Sequence, residues 1–226
     1  MSRPLLHLLH LCDSLFPIGG FGYSDGLEAA TAAGLVNTPA DLQAWLDVCL
    51  DEVVGRTDGP AALHAWSAFE RRDWDALADL DEQLTAMRPS SATRRSSKAM
   101  GLRLIMTWSG LYPERRTERL FDLPRVQRLR PTLPIAFGCA CASAGIAMRD
   151  AGAAFAYTRL ASTTSAALRL MRIGQTDAHA RLAKTLARVP AVVDAMTTRA
   201  RPESFAPTMD VSAMAQQYLH SRLFRS

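Results

Sequence analysis

The chain has 226 residues, a formal net charge of +4, 48% hydrophobic and 21% charged residues. Length and balance are those of a globular chain, as one large domain or two small ones, with enough surface to bury a sizeable core. The positive excess is too mild for a nucleic-acid-binding domain, and the most apolar stretch, Leu133 to Met148, is shorter than the ~20 residues of a membrane span.

At the N-terminus, Arg3 and Pro4 precede a short apolar run broken by His7, His10 and Asp13, which does not read as a secretory signal; a cytoplasmic protein is expected. Pro17 to Gly22 breaks the chain, and Ser24 or Asp25 is placed to cap a helix that runs to Gly34. Thr38-Pro39-Ala40-Asp41 is a helix start, with a threonine N-cap, proline at the first helical position and an acid at the third. Leu42, Trp45, Leu46, Cys49 and Val53 then follow one helical face.

Further stripes lie at Leu77, Leu80, Leu84 and Met87, and at Met100, Leu104, Trp108 and Leu111. Leu182, Leu186 and Val189 form another, after a break at Gly174. Val211, Met214, Ala215, Tyr218 and Leu219 repeat the pattern behind Asp210, and this stripe predicts a helix docked on the body. Leu133 to Met148, rich in Ala, Gly, Cys and Ser, predicts a buried helix that its neighbours approach closely. Arg88 to Lys98 is expected to be a mobile loop or a frayed helix start.

Strand patterns are nearly absent, and Gly59-Pro60 and the other Gly and Pro sites cut the chain into about ten helices. The expected fold is one all-α bundle across residues 1–226, with a tail at about 221–226 that orders on partner binding.

Few residues suggest chemistry. Gly22-Tyr23-Ser24-Asp25-Gly26 matches the G-x-S-x-G nucleophile elbow, so a serine hydrolase is one alternative reading. The elbow needs a strand leading into the serine, and Pro17, Gly19 and Gly20 argue against one. The glycines at 19, 20 and 22 lack the Lys and Ser/Thr of a phosphate loop. His7 and His10 share a helical face without a third ligand, and Cys12, Cys49, Cys139 and Cys141 form no CxxC pair. The basic groups Arg94, Arg95 and Lys98, then Arg115, Arg116 and Arg119, then Arg125, Arg128 and Arg130, allow a helical nucleic-acid binder as a second alternative, but aromatic interleaving is poor. These residues alone imply a helical domain without a catalytic centre.

Three segments, in order, carry a resemblance. Leu15 to Glu28, Leu-Phe-Pro-Ile-Gly-Gly-Phe-Gly-Tyr-Ser-Asp-Gly-Leu-Glu, resembles the N-terminal signature of the UreF family of urease accessory proteins, with Gly22 and Asp25 as mild departures. Leu168 to Asp177, with Gly174 and Gln175, is similar to a second family segment, although Arg172 takes a usual proline position. Asp210 to Met214 and then Ser221 to Ser226, Ser-Arg-Leu-Phe-Arg-Ser, resemble the family's C-terminus. Gln216, Gln217 and His220 stand where the family often has a His-Glu pair and a tyrosine.

The resemblance implies an all-α, non-catalytic homodimer that binds a UreD-type (UreH-type) protein, recruits a nickel-carrying UreG-type GTPase and acts on apo-urease. It implies no stoichiometric cofactor; nickel passes through the complex. Membrane and nucleic acid are not expected partners. The partner-binding residues it points to are Phe21, Tyr23, Ser24, Gly26, Glu28, Gly174, Gln175, Arg222, Leu223, Phe224 and Arg225.

Overall fold

The computed structural model describes residues 3–126 and 129–225, with the backbone alone for 121–126. Arg128, Ser226 and the Arg125 side chain therefore lie outside the described residues. The described residues form helices and connecting turns, with no strand among them. In order these are α1 (Arg3–Leu11), a 3-10 turn (Gly20–Gly22), α2 (Leu27–Ala32), α3 (Pro39–Val48), a π segment (Cys49–Asp58), α4 (Gly59–Arg71), α5 (Trp74–Ala86) and α6 (Ser91–Leu111). They continue as α7 (Arg115–Val126), α8 (Leu133–Ser143), α9 (Met148–Leu170), α10 (Gln175–Leu186), α11 (Val189–Thr198), α12 (Pro207–Ala215) and a closing 3-10 turn (Gln216–Tyr218). The chain is an all-α bundle.

Local chemistry explains the boundaries. At α3 a complete capping box forms: Thr38 Oγ1 accepts from Asp41 N at 3.2 Å, and Asp41 Oδ2 accepts from Thr38 N at 2.8 Å. Past the end of α8, Ile146 N donates to Cys141 O at 3.0 Å and Gly145 N to Ala142 O at 3.0 Å, the Schellman pattern with glycine in the left-handed position. The apolar stretch predicted as one helix from 133 to 148 thus ends at Ser143. Arg88 to Lys98 is a capped helix start rather than a loop. Ser90 Oγ accepts from Thr93 N at 3.3 Å, and Arg94 Nη1 donates to Pro89 O at 2.9 Å.

Helix α8 is the central element; every residue of it is buried, and it packs against α4, α6, α7 and α9. A Cβ on Gly138 would collide with the Ala62 carbonyl, so glycine lets α8 and α4 pack backbone to backbone. Burial pushes the Cys139 and Cys141 thiols upward in pKa, as expected for packing cysteines. The Gly59-Pro60 break does not occur. Helix runs on from Pro39 to Arg71, with π geometry from Cys49 to Asp58 leading into the proline. Pro60 has no N–H to lose, and the wider preceding turns relieve the clash of its ring with an earlier carbonyl.

The N-terminal helix is held at one face by His7, whose ring meets Trp108 edge-on at 5.7 Å and Tyr112 at 4.5 Å. Its buried Nδ1 has no hydrogen-bond partner. Burial, and then the Arg3 charge, hold the His7 pKa below its ordinary value; Glu114 opposes and His10 adds a little. A lowered folded pKa means docking is fully favoured above the unfolded value, about 6.5, and is lost as pH falls through the folded value. Between about pH 7.5 and about pH 5.5, the native chain is expected to lose more melting temperature than His7→Phe; equal losses would assign the acid sensitivity elsewhere.

Candidate partner-binding site

The segment before α2 is set by backbone geometry. Tyr23 is extended, Asp25 has φ 51° and Gly26 φ 88°, so the chain turns sharply into the helix. A Cβ on Gly26 would lie 2.7 Å from Ala213 N, which lets the α12 backbone come against this turn. Gly26 itself is the N-cap of α2, and Ser24 contributes by accepting from Glu28 N at 3.4 Å. The helix ends at Ala32, with Gly34 as the left-handed residue beyond it.

Glu28, in the first turn of α2, is buried and gathers the other end of the chain. Its Oε1 accepts from Leu223 N at 2.5 Å, and its Oε2 from Phe224 N at 3.2 Å and Gln216 Nε2 at 2.8 Å. Ser24 Oγ donates to Gln216 Oε1 at 3.0 Å, so one amide joins the serine to the carboxylate. Arg225 N donates to Gly22 O at 2.7 Å. Phe224 is 3% exposed, with the Arg169 guanidinium 4.3 Å from its ring centroid. Arg169 Nη1 also donates to Phe21 O at 3.0 Å. Residues 223–225 thus lie against Glu28 and the segment before α2.

Beneath this cluster, Asp25 pairs with Arg159 at 2.8 Å, both largely removed from solvent. Burial opposes the Arg159 charge, but Asp25 and then Asp58 outweigh it and hold the guanidinium firmly protonated. Beside it lies an apolar cavity of about 740 Å³, lined among others by Phe16, Ile18, Phe21, Tyr23 and Phe224.

Of the expected partner-binding residues, Phe21, Tyr23, Ser24, Gly26 and Glu28 therefore meet Leu223, Phe224 and Arg225 at one place. They divide by exposure. Ser24, Gly26, Glu28 and Phe224 are buried and build the joint, whereas Phe21, Arg222, Leu223 and Arg225 are exposed and Tyr23 is half-buried. Gly174 and Gln175 are exposed at the start of α10, outside the hydrogen-bonded cluster. Sequence reasoning passed over Arg169 and regarded Gln216 only as a departure from the family pattern. A carboxamide can donate to Glu28 and accept from Ser24 at once, which is its use here.

The hydrolase alternative does not fit. Ser24 is 3% exposed, its oxygen bonds to Gln216 and to the α2 backbone, and no strand among the described residues leads into it. Among the described residues no group of three or more His, Cys, Asp or Glu is placed to hold a metal ion, and no helix is long and apolar enough to cross a membrane.

Residues 36–186 match the family model described as UreF. Over its whole length the chain is 32% identical to the urease accessory protein UreF of Methylibium petroleiphilum, covering 95% of that protein. It is 30% identical to UreF of an Azoarcus species, with 99% of this chain and 96% of the relative aligned. The bifunctional urease accessory protein UreEF of Bordetella bronchiseptica is 33% identical across 98% of this chain, which spans 52% of that longer protein. On these matches, and on the all-α fold, the chain belongs to the UreF family of urease accessory proteins.

Proposed function

We propose that this chain is a non-catalytic adaptor in urease maturation, joining a UreD-type (UreH-type) protein to a UreG-type GTPase so that nickel is inserted into apo-urease. It acts in the cytoplasm as a homodimer, without a resident cofactor; nickel is cargo. The observation that carries this reading is the convergence of the two chain ends on Glu28. A buried joint holds the tail, and Phe21, Arg222, Leu223 and Arg225 stand exposed around it. Aromatic rings and guanidinium forks on a rigid support are side chains that dominate protein interfaces.

The test is assembly with purified partners. Arg222→Ala with Arg225→Ala removes two exposed forks and is expected to change stability by no more than about 0.5 kcal/mol. The same variant is expected to lose recruitment of the GTPase to the complex with the UreD-type protein, and with it urease activation. Tyr23→Asp is expected to weaken association with the UreD-type protein or with a second copy. Full activation by the arginine variant would remove the tail from the adaptor surface.

A further inference from the structure

The short segment 23–25 joins the Gly20–Gly22 turn to α2 and is anchored to the rest of the fold by two side chains. Ser24 Oγ donates to Gln216 just past α12, at 3.0 Å. That helix and the turn after it dock by Met209, Ser212 and Gln216, while Val211, Met214 and Tyr218 of the predicted stripe are exposed. Asp25 reaches another way, to Arg159 on α9, with Oδ2 2.8 Å from Nη2. Among the described residues Arg159 is the cation paired with Asp25, and the side chains of the two are 13% and 23% exposed. Asp58, at the end of the π segment, also acts on the Arg159 charge, but its own partner is Arg88 at 2.6 Å.

Two features separate this pair from ordinary packing. Asp25 stands in the left-handed region, φ 51°, where the Cβ of an L-residue crowds the following carbonyl. Aspartate tolerates that region better than most side chains, yet the conformation persists only where the surroundings fix it. Moreover, a buried ion pair contributes little net stability over apolar side chains of similar size, because both charges give up water. Here the cost is higher still, since Arg159 Nε is buried without an acceptor among the described residues. What such a pair does supply is geometry: the guanidinium fixes the carboxylate, and the carboxylate fixes the backbone that bears it. Tyr23 lies two residues before Asp25 and Glu28 three after it, so the setting of this turn carries over to the exposed aromatic residues and to the joint with the tail.

We propose that Arg159 is a positioning residue of the partner-binding surface: from beneath, it holds Asp25 in the left-handed turn and so presents Phe21 and Tyr23 to the UreD-type protein. This rests on the adaptor reading and adds to it the residue that pre-organises the surface.

Purified full-length variants are compared for affinity to the UreD-type protein and for hydrogen exchange of the amides of residues 23–28, at a temperature well below the melting point of each. Arg159→Met is expected to bind about tenfold more weakly, with faster exchange through the turn and unchanged helicity. Adding Asp25→Gly removes the orphaned carboxylate and supplies a residue that takes φ 51° freely. The double variant is therefore expected to return to within about threefold of the native affinity. Arg159→Lys, which keeps the charge without the planar fork, should lie between the native chain and Arg159→Met. A second comparison does not depend on Arg159→Met folding. Asp25→Ala and Asp25→Gly leave Arg159 equally without its partner, and the alanine variant is expected to bind about tenfold more weakly than the glycine variant. A merely stabilising pair would lower the melting temperature in Arg159→Met and leave the affinity as it was. Native affinity in Arg159→Met, a double variant no better than the single one, or equal affinity of the two Asp25 variants overturns the proposal. A native chain that does not bind the UreD-type protein overturns the adaptor reading, and this assignment with it.

Discussion

Replacing Glu28 by alanine is expected to free the C-terminal tail. Three donors, Leu223 N, Phe224 N and Gln216 Nε2, converge on its two oxygens in a buried setting. A hydrogen bond to a charged acceptor contributes about 1.5–3 kcal/mol, and a donor left buried without a partner costs about 1–3 kcal/mol. The three share one acceptor, so their losses are not additive, and the tail relieves two of them by moving into water. A global loss of about 2–4 kcal/mol is expected, with a larger local effect. The Leu223 and Phe224 amides should exchange nearly as fast as in a free peptide, and trypsin should cut after Arg222 in the otherwise folded chain. GTPase recruitment should fall with them, although Arg222 and Arg225 are untouched. Glu28→Gln keeps one oxygen acceptor but can set an NH2 against Gln216 Nε2 or a tail amide, so it should lie between the two. Persistent amide protection in Glu28→Ala would show that Phe224 and Arg169 hold the tail without the carboxylate.

Much of the fold was legible because helix signals are local. The Thr38–Asp41 box is a four-residue pattern, and it closes as expected. The α6 stripe of Met100, Leu104 and Trp108 is buried, while Leu111, its last member, is exposed at the helix end. Gly59-Pro60 misled because a π segment has no sequence period of its own, and it makes a proline tolerable inside a continuous helix. The α12 stripe misled for another reason. Periodicity reports that a helix has an apolar face, not which neighbour lies on which side, and a close backbone approach at Gly26 buried the polar face instead. At the candidate site, the residues were legible through family resemblance, but their division into buried joint and exposed surface was not. Glu28 meets Phe224 across almost the whole chain, and no local pattern encodes that pairing.

The same long-range logic governs stability at the base of the π segment. Asp58, its last residue, accepts from Arg88 Nη2 at 2.6 Å, and the two side chains are 3% and 13% exposed. Removing one member of such a pair leaves a buried charge, at a cost of about 3–5 kcal/mol, a large part of the ~5–15 kcal/mol that holds a domain together. Arg88→Met is therefore expected to lower stability by that amount near neutral pH, read as a shift of the urea midpoint. Adding Asp58→Asn should recover most of the loss at neutral pH, since two groups of similar shape without charge escape the desolvation cost. Arg88 also acts on α12: burial raises the Asp210 pKa and the Arg88 charge lowers it in part, so its loss leaves Asp210 costlier to ionise. The first turn of α12 should then lose amide protection before the rest of the bundle in Arg88→Met, and regain less of it than global stability when Asp58→Asn is added. A single variant as stable as the native chain, or a double variant worse than the single one, would show that the pair holds neither the π segment nor α12.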